Sequence, residues 1–529
     1  MQNFLKSRVL LLINIFTLHL LFSEELPIGL TNQEKNNIHI IYEMGRDTEP
    51  PIGPIRNIAE YERMSGVLIR YPFGISLDII RELSEDIIIY CLVSSSSQNA
   101  ASSSMIGGNV NIGNVEFVTG STDSYWTRDY GPWWVVDGDR NMSIVDFTYN
   151  RPRPNDNLAP FKMSEFLNVP YYSVDIVHCG GNYMTDGYGT SASSNLVIEE
   201  NEMGVNEIND VMNTYYGIET YHILEDPNNT YIDHIDCWGK YLSPTKILIR
   251  EVPNSHPQYN QIEQVADYFS ESLNNWGENW EVFRVWTPNN QPYTNSIIVN
   301  NKVLVPIMNS SWDDDALGVY ELALPGYEVI GFTGTWESTD ALHCRIKGIP
   351  DSEMMQLFHN PLNDSIAPLQ LDGYKIELDV DNLSNFGINQ DLVKVFWKND
   401  LMQIYDSSHL NISGIIGEVE SYIGYIPPQA IETNINYYIQ ITDSSGRIEA
   451  SPLAGYHSFY ALATDACSNW ILGDLNNSGK IDILDVLILS ELIIYNEDIG
   501  VCCNSVADIN NDGLLSMIDI IGLISLIIN

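Results

Sequence analysis

Four segments between residues 126 and 344 carry side chains that together could perform nucleophilic chemistry. They are WTRDYGPWW from Trp126, CGGNYMTDG from Cys179, YIDHIDCWG from Tyr231 and GTWESTDALHC ending at Cys344. No spacing typical of metal ligands links the four segments. A His-x-Asp pair, a further acidic residue and a distant cysteine instead indicate catalysis by a thiolate nucleophile.

The hydrolysis of a guanidinium group would use every member of such a set. The guanidinium carbon is a poor electrophile because of resonance, and the group carries a permanent positive charge with five N–H donors. Two carboxylates can accept those donors in paired hydrogen bonds and hold the planar group in place. A thiolate then attacks the carbon, an acid protonates the departing nitrogen, and the same group activates the water that hydrolyses the intermediate.

These segments, together with YNRPRPND at residues 149–156, resemble the motifs of the guanidine-modifying enzymes, and among them the secreted bacterial peptidylarginine deiminases. The resemblance covers roughly residues 45 to 360. It implies that the chain converts peptide arginine to citrulline and ammonia through a covalent cysteine thiouronium, with no cofactor for catalysis. It also implies an α/β fold, the five-bladed α/β propeller known as the pentein fold, with the active site at its centre.

The same resemblance assigns the catalytic roles to four residues. Cys344 is the nucleophile, His234 is the general acid and base, and Asp129 and Asp236 bind the guanidinium. Each also has an ordinary structural interpretation, such as a buried histidine, a core cysteine or half of a surface ion pair between Asp129 and Arg128. We favour the catalytic interpretation because four independent coincidences would otherwise have to reproduce one site.

Four further residues are predicted to support the site. Asn295 and Asp186 look like supporting polar residues by the same resemblance, the second in contact with the backbone of the substrate. Trp126 and Tyr231 are aromatic residues that could wall the pocket from water, or serve as ordinary core and rim residues.

The nearest alternative is a deiminase of agmatine or another small guanidine, which shares the WTRD, GGN and His-x-Asp segments. Arg151 and Arg153 argue against it, because two guanidinium groups beside the site would repel a dicationic amine and attract the C-terminal carboxylate of a peptide. Pro152 and Pro154 predict a stiff, extended loop that points both arginines the same way. The sequence therefore predicts a preference for arginine at a peptide C-terminus.

A second alternative, from another class, is a surface binding protein built on an inactive catalytic scaffold. The four intact catalytic residues argue against this interpretation. Release of ammonia from an arginine peptide would decide between the two.

The elements that must position these residues alternate between β-rich runs and helical patterns. Runs such as GVLIRYP, DIIIYCLV and SIIVNNKVLVPI alternate with the helical pattern NQIEQVADYFSESLNNW, as is typical of an α/β domain. We place this catalytic domain at residues 46–360, after an N-terminal leader at 24–45. In residues 361–463 the helical signal fades, and alternating strands with a hairpin turn across Asp443 to Gly446 predict an Ig-like β-sandwich.

Residues 470–529 contain two copies of one unit at an offset of 34 residues, GDLNNSGKIDILDVLILSELI and ADINNDGLLSMIDIIGLISLI. Each copy places oxygen ligands at loop positions 1, 3, 5, 9 and 12, with glycine at 6 and a backbone carbonyl at 7, which is the spacing that wraps Ca²⁺. Asp at position 12 and the missing first helix resemble a type I dockerin, which implies a small α-helical module with two calcium ions. Its partner would be a cohesin-like protein, or the module could equally be a retention or sorting element that folds around calcium. The predicted ligands are Asp474, Asn476, Ser478, Lys480, Asp482 and Asp485, then Asp508, Asn510, Asp512, Leu514, Ser516 and Asp519.

The N-terminus has the order of residues found in a secretory signal peptide. Lys6 and Arg8 precede an apolar stretch from Val9 to Phe22, and we place the signal at residues 1–23. The stretch is shorter than the roughly 20 apolar residues of a membrane span, and no later segment is long enough to cross a bilayer. We therefore expect a secreted or cell-surface protein.

The charge balance excludes one class of partner. Of 529 residues, 70 are acidic and 25 are basic, which gives a net charge of −45. Phosphate binding needs a basic surface, so nucleic acid is excluded. The charge would attract cationic substrates such as arginine-containing peptides or proteins, or would serve only to keep the protein soluble. The seven cysteines are too few and scattered to form a disulfide framework. Cys91, Cys179 and Cys237 are predicted to be buried and inert.

Overall fold

The structure is a computed structural model that describes residues 26–363, 365–366, 373–384, 386–463, 471–476, 478–495, 506–510 and 514–528. The chain divides into two compact units, Met1–Ala323 with Glu328–Asp351, and Leu324–Tyr327 with Ser352–Asn529. The predicted signal peptide lies outside the described residues. So do Cys467, Cys502 and Cys503, whose pairing the sequence leaves open.

Within the described residues, the first unit contains five small sheets that share one strand plan. In each sheet a central strand pairs antiparallel with one neighbour and parallel with the other, and a helix connects the two parallel strands. This crossover is needed because parallel strands cannot be joined by a tight turn. In sheet order, the strands are Arg56–Asn57, Trp133–Val136, Met142–Tyr149 and Tyr171–His178; Thr220–Leu224, Thr190–Ser194 and Met184–Thr185; Gly239–Ser243, Lys246–Glu251 and Glu281–Trp286; Ile297–Val299, Lys302–Ile307 and Glu328–Thr333; and Lys347–Pro350, Met64–Arg70, Ile88–Val93 and Val115–Thr119.

The last of these sheets joins the two ends of the unit. Lys347–Pro350, the final strand of the unit, pairs antiparallel with Met64–Arg70 near its start. The chain therefore returns to its beginning, and the loops that carry Asp129, His234 and Cys344 come from different sheets yet meet in one place.

The helices of the unit follow the apolar periodicity of the sequence. Tyr259–Glu271, which the sequence predicts, buries Ile262, Val265, Ala266 and Phe269 on one face, at the spacing of successive helical turns. One expectation is wrong: the Arg-Pro-Arg-Pro segment is not extended throughout. It enters a helix at Pro154, because proline suits the first helical position, where no N–H donor is required.

The remaining helices of this unit have 12 residues or fewer, and the first two precede the first strand. The α-helices are Asn32–Lys35, His39–Glu43, Leu77–Ser84, Gln98–Gly107, Thr127–Tyr130, Pro154–Asn157, Ala159–Leu167, Leu196–Glu199, Val205–Tyr216 and Asp313–Ala323, and the 3₁₀ turns are Ile112–Asn114, Gly180–Asn182, Ile235–Cys237 and His343–Arg345.

The second unit begins with two sheets that enclose one apolar core. Tyr374–Asn382 alternates buried and exposed residues, as expected for a strand with one face in the core. Thr433–Thr442 and Ile448–Ser451 form the hairpin predicted across Asp443 to Gly446. The sheets contain Met355–Phe358, Tyr374–Asn382, Val419–Ile426 and Asn411–Ile416, and Ser365–Ile366, His457–Ala461, Thr433–Thr442, Lys394–Asn399, Asp406–His409 and Ile448–Ser451, with a 3₁₀ turn at Gln390–Leu392.

The C-terminal repeats contribute one helix each after their loops, Ile483–Tyr495 and Met517–Ile528. Leu489, Leu492 and Leu523 from both helices share one apolar core. Among the described residues, no helix combines the length and the apolar character that crossing a membrane requires.

Candidate active site

Four loops place the predicted catalytic residues in a buried cluster. Asp129 lies on the one-turn helix Thr127–Tyr130, His234 and Asp236 flank the start of a 3₁₀ turn, and Cys344 lies in another. The exposed fraction of these four side chains is 5% or less. Short turns place polar side chains at strand ends without the register constraint of a strand, so groups far apart in sequence can converge.

The two glycines of the GGN motif make this convergence possible. A Cβ atom at Gly181 would lie 2.7 Å from both Asp129 Oδ1 and His234 Nδ1. A Cβ at Gly180 would lie 2.0 Å from the carbonyl oxygen of Arg128. Only glycine allows the backbone to approach the site this closely.

Contacts around the thiol connect three of the predicted residues. The side-chain amide of Asn295 donates to Cys344 Sγ at 3.2 Å, and Asn295 Oδ1 accepts from the backbone N–H of His343 at 3.0 Å. Cys344 Sγ lies 3.7 Å from Asp236 Oδ2. Asn295 therefore holds the nucleophile and its turn in place.

The pKa values of these groups describe a resting site without charge on the thiol or the histidine. Burial, and next the charge of Asp236, raises the pKa of Asp129 to about 8. Burial lowers the pKa of His234 to about 3, so its 3.9 Å contact with Asp129 is not an ion pair at neutral pH. Burial, with Asp236 and Asp129 nearby, raises the pKa of the Cys344 thiol well above its usual value.

Asp236 behaves differently because a neighbour opposes the effect of burial. Burial would raise its pKa, but the hydrogen bond and charge of His343 lower it below the usual value. Asp129 Oδ1 and His234 Nε2 are buried and have no hydrogen-bond partner. Buried polar atoms without partners are costly, and here they mark where a ligand with N–H donors would bind.

A chain of buried charges behind Asp236 was not predicted. His343 Nδ1 lies 2.7 Å from Asp236 Oδ2, and its Nε2 lies 2.7 Å from Glu60 Oε2. Glu60 is also paired with Arg128 and Lys240, each at 2.5 Å. Both ring nitrogens of His343 face carboxylate oxygens, which accept hydrogen bonds when ionised. Each of these two contacts therefore needs a proton between the nitrogen and the oxygen. For His343, the one signal in the sequence is its position next to Cys344. No feature of the sequence singles out Glu60.

Cys179 was predicted to be inert, and it is buried, but it lies against the catalytic histidine. Its Sγ is 4.0 Å from His234 Nδ1. Potential ligand atoms of Asp129, Cys179 and His234 all lie within 4.8 Å of one another, and among the described residues these three groups could hold a metal ion. Such an ion would occupy the groups that guanidinium chemistry needs, so we keep the prediction that catalysis is metal-free.

The two predicted aromatic residues differ in burial. Trp126 is buried and packs against Cys344, Ile232 and Ile28. Tyr231 is 67% exposed, and its ring lies so close to Gly29 that a Cβ there would be 2.7 Å from Tyr231 Cε2.

Arg151 and Arg153 are near the pocket but are buried rather than open to solvent. Arg151 Nε donates to the carbonyl of Ile28 at 3.0 Å. Arg153 forms an ion pair with Glu34 at 2.7 Å, and its guanidinium carbon lies 5.4 Å from the centre of the Trp126 ring. The two arginines that the sequence predicted to receive a peptide carboxylate are therefore covered by residues near the N-terminus.

Asp186 does not join the site. It is fully buried and accepts hydrogen bonds from the backbone N–H groups of Tyr188 and Thr190 and from Asn275. Its carboxylate therefore stabilises the turn between two strands. These hydrogen bonds give Asp186 a role within the fold, and its contact with the substrate backbone stays a prediction.

The C-terminal loops bring the two position-12 carboxylates into equivalent positions. Asp485 accepts from the N–H groups of Leu475 and Asp482, and Asp519 accepts from those of Ile509 and Ser516. Asp474 is also buried and accepts from loop N–H groups, whereas Asp512 lies outside the described residues. Both loops thus point carboxylates inward at the predicted ligand positions.

Comparison with known proteins finds relatives and solved structures that share this fold. Agmatine deiminase of Medicago truncatula is 23% identical over 290 residues, which cover 44% of this chain and 77% of that protein. An agmatine deiminase structure from Enterococcus faecalis has a TM-score of 0.50 at 17% identity, over 58% of this chain and all of that one. A candidate arginine deiminase from Porphyromonas gingivalis also has a TM-score of 0.50, at 18% identity, over 56% and 99% of the two chains.

The fold and the site define a deiminase of guanidine groups with the pentein fold. Residues 75–350 match the family model described as Porphyromonas-type peptidyl-arginine deiminase, and the chain belongs to that family. Residues 472–528 match the dockerin type I domain. The predicted resemblances to a deiminase and to a dockerin are therefore both confirmed.

Proposed function

We propose that this protein is a secreted deiminase that converts the arginine of peptides or proteins to citrulline and ammonia. The observation that carries the proposal is the arrangement of Asp129 and Asp236 beside the thiol of Cys344 in a buried pocket. Paired carboxylates suit a planar group with five N–H donors, and no such pairing is needed to activate a thiol alone.

Binding of the guanidinium prepares the nucleophile. Its positive charge enters between Asp129 and Asp236, beside a Cys344 thiol whose pKa is raised by burial and next by these carboxyl groups. The cation offsets that charge and favours ionised Asp129 and a thiolate. Asn295 donates to the sulfur and steadies the thiolate.

The chemical steps then use the thiol and His234. The Cys344 thiolate attacks the guanidinium carbon, the thiol proton passes through His234 to the departing nitrogen, and ammonia leaves as the C–N bond breaks. Water activated by His234 adds to the thiouronium carbon, and loss of the thiol gives citrulline. The proton released ends on ammonia, so guanidinium and water yield a urea group and ammonium.

The substrate class is supported by Arg151 and Arg153. Arg153 already holds the carboxylate of Glu34, and Arg151 holds a backbone carbonyl, so this pair accepts peptide groups. A dicationic amine such as agmatine would meet two positive charges there. We therefore propose a preference for arginine at a peptide C-terminus, whose free carboxylate would take the place of the Glu34 carboxylate.

The other modules complete the proposal. We take the five sheets as the five blades of a propeller within a catalytic domain at 46–360, and the two later sheets as an Ig-like domain at 361–463. The dockerin module would hold two Ca²⁺ ions and bind a cohesin-like partner. The signal peptide at 1–23 would direct export, so the substrates would be extracellular.

The experiment measures citrulline and ammonia from a peptide that ends in arginine and from the same peptide amidated. Cys344→Ala should abolish turnover and keep the fold, because the variant lacks the sulfur that forms the covalent intermediate. Cys91→Ala is the matched control, since Cys91 is a buried free cysteine on the strand Ile88–Val93, outside the site. Citrulline production by Cys344→Ala would refute the assignment.

The same assay tests the substrate class. The wild type should favour the free carboxylate by about 10- to 1,000-fold in kcat/KM, and the Arg151→Ala, Arg153→Ala double variant should lose that preference. Equal turnover of both peptides by the wild type would remove the C-terminal preference, and turnover of agmatine alone would favour the small-guanidine alternative.

A further inference from the structure

Residues 26–34, which we call the N-terminal strap, pack against the candidate active site. Ile28 is buried in one apolar cluster with Trp126, Ile232 and Cys344. The strap therefore shares an apolar core with the residue that the proposed mechanism makes the nucleophile. A substrate side chain that reaches Cys344 would compete with Ile28 for this space.

The strap also uses the groups that the proposed function assigns to substrate. Arg153 donates to the carbonyl oxygens of Pro27 at 2.6 Å and Gly29 at 3.2 Å, and Arg151 donates to that of Ile28. Two guanidinium groups therefore donate hydrogen bonds to three successive backbone carbonyls. This is how a bound peptide backbone would be held.

A carboxylate completes the resemblance to a bound peptide. Glu34 accepts from Arg153 Nε at 2.7 Å and is itself held by Thr31, since the two form a reciprocal capping box at the start of the helix Asn32–Lys35. Burial would raise the pKa of Glu34, but Arg153 holds it below the usual value, so the carboxylate stays ionised. Glu34 thus binds Arg153 in the way that the carboxylate of a bound peptide would.

The strap leaves one oxygen of Asp129 and one nitrogen of His234 without a partner. It puts an aliphatic side chain at the thiol, whereas Asp129 Oδ1 and His234 Nε2 stay unpaired. An isoleucine cannot react and cannot satisfy those atoms. The segment therefore fills this space as a peptide would, without offering a guanidinium.

We infer that the N-terminal strap is a built-in pseudosubstrate that blocks the site until it is displaced or removed. The inference rests on the proposed function, because it takes Arg151 and Arg153 to be the peptide-binding groups. Peptides whose carboxylate competes for Arg153 would displace the strap, and cleavage between the strap and the first sheet would release it. Activity of the full chain would then be lower than that of a chain whose strap is loosened.

The test compares two double variants of the full chain. Ile28→Ala with Glu34→Ala removes the apolar contact and the ion pair, whereas Ile38→Ala with Gln33→Ala changes exposed positions of the same region and serves as the matched control. One measurement is the rate at which iodoacetamide alkylates Cys344, read by mass spectrometry. Cys91 in the same sample reports general loosening of the fold, because it is fully buried away from the site.

The strap variant should label Cys344 about tenfold faster or more, as expected when a buried apolar side chain and a buried ion pair are lost together. Labelling of Cys91 should not change, and the control variant should match the wild type. The value of kcat/KM for the arginine peptide should rise in parallel. A synthetic peptide of residues 26–35 should inhibit the strap variant, and the same peptide with alanine at both positions should not.

Unchanged Cys344 labelling in the strap variant would overturn the inference, as would faster labelling of Cys91 to the same extent. A fall in turnover without a change in Cys344 labelling would also overturn the inference, because the strap would then help to form the substrate pocket and would not block it. Faster Cys344 labelling with no citrulline from any form would support occlusion and refute the proposed function.

Discussion

Asp129 and Asp236 are both buried beside the same thiol, yet their pKa values shift in opposite directions. Asp236 has His343 as a hydrogen-bonded partner, whereas Asp129 Oδ1 has none. The first is therefore poised to hold a cation at neutral pH, and the second becomes ionised only as the cation arrives. Because the two carboxyl groups have different pKa values, the pocket can bind a cation and still avoid two neighbouring negative charges when it is empty.

This difference predicts a cost in stability that depends on pH. In the folded protein the pKa of Asp129 is about 8, above the value of about 3.9 expected in the unfolded chain. The folded state binds more protons between these values, so stability falls as pH rises from about 4 to about 8. Asp129→Asn removes this titration and should raise the free energy of unfolding, by on the order of 1 to 3 kcal/mol at pH 8.

Chemical denaturation at pH 5 and pH 8 checks this expectation. The advantage of Asp129→Asn over the wild type should be larger at pH 8, and the variant should be inactive. An equal advantage at both pH values would show that Asp129 does not titrate in that range.

His343 should act as a positioning residue for Asp236. In His343→Gln, Asp236 loses its hydrogen bond to the imidazole. The pKa of Asp236 should therefore rise, and its carboxylate should become protonated at a higher pH. The acid side of the kcat/KM profile should then move to higher pH, with a fall of about 10- to 100-fold at neutral pH. His222→Gln, a change at a buried histidine that pairs with Tyr268 instead, should leave the profile unchanged.

At the scale of elements, the two C-terminal loops are organised by their acidic residues. Asp485 and Asp519 accept backbone N–H groups of their own loops, which preforms each loop around inward carboxylates. Further carboxylates in the same loops repel one another until a cation neutralises them. The helices after the loops depend on that organisation because they share a small core.

Calcium should therefore bind to this module with a ratio of two ions per chain and increase its helix content. A circular dichroism titration of residues 470–529, with calorimetry on the full chain, measures both. Asp485→Ala with Asp519→Ala should abolish binding, and Glu491→Ala, an exposed acidic position on the first helix, should not. A spectrum indifferent to calcium would remove the calcium assignment.

At the scale of the whole molecule, deiminase chemistry and calcium binding are predicted in different units. The candidate active site lies entirely in the first unit, and the predicted calcium loops lie in the second. Removal of calcium with EDTA should thus unfold the dockerin module and leave deiminase turnover unchanged, both in the full chain and in residues 45–460. Loss of turnover that returns with added metal would indicate a catalytic ion, and the group Asp129, Cys179 and His234 would be the first place to look.

Several parts of the site could be predicted because each lies within a short motif. Asp129, His234, Asp236 and Cys344 belong to segments whose residue types state their chemistry, and the repeat at Asp474 and Asp508 shows its calcium spacing directly. The helix Tyr259–Glu271 and the hairpin after Thr442 follow from local periodicity and turn residues. Such signals are local, so one sequence is enough to reveal them.

The rest was decided by contacts between residues far apart in the chain. Glu60 meets His343 across 283 positions, and Glu34 meets Arg153 across 119. Asp186 fits the same motif logic as Asp129, but its oxygens are consumed by a turn. The sequence by itself determined which groups could perform the chemistry, because residue type and local spacing specify donors, acceptors and nucleophiles. Only the tertiary structure decided which of them share a pocket, which are satisfied elsewhere and what packs against the site, because burial and pairing are set by the packing of distant segments.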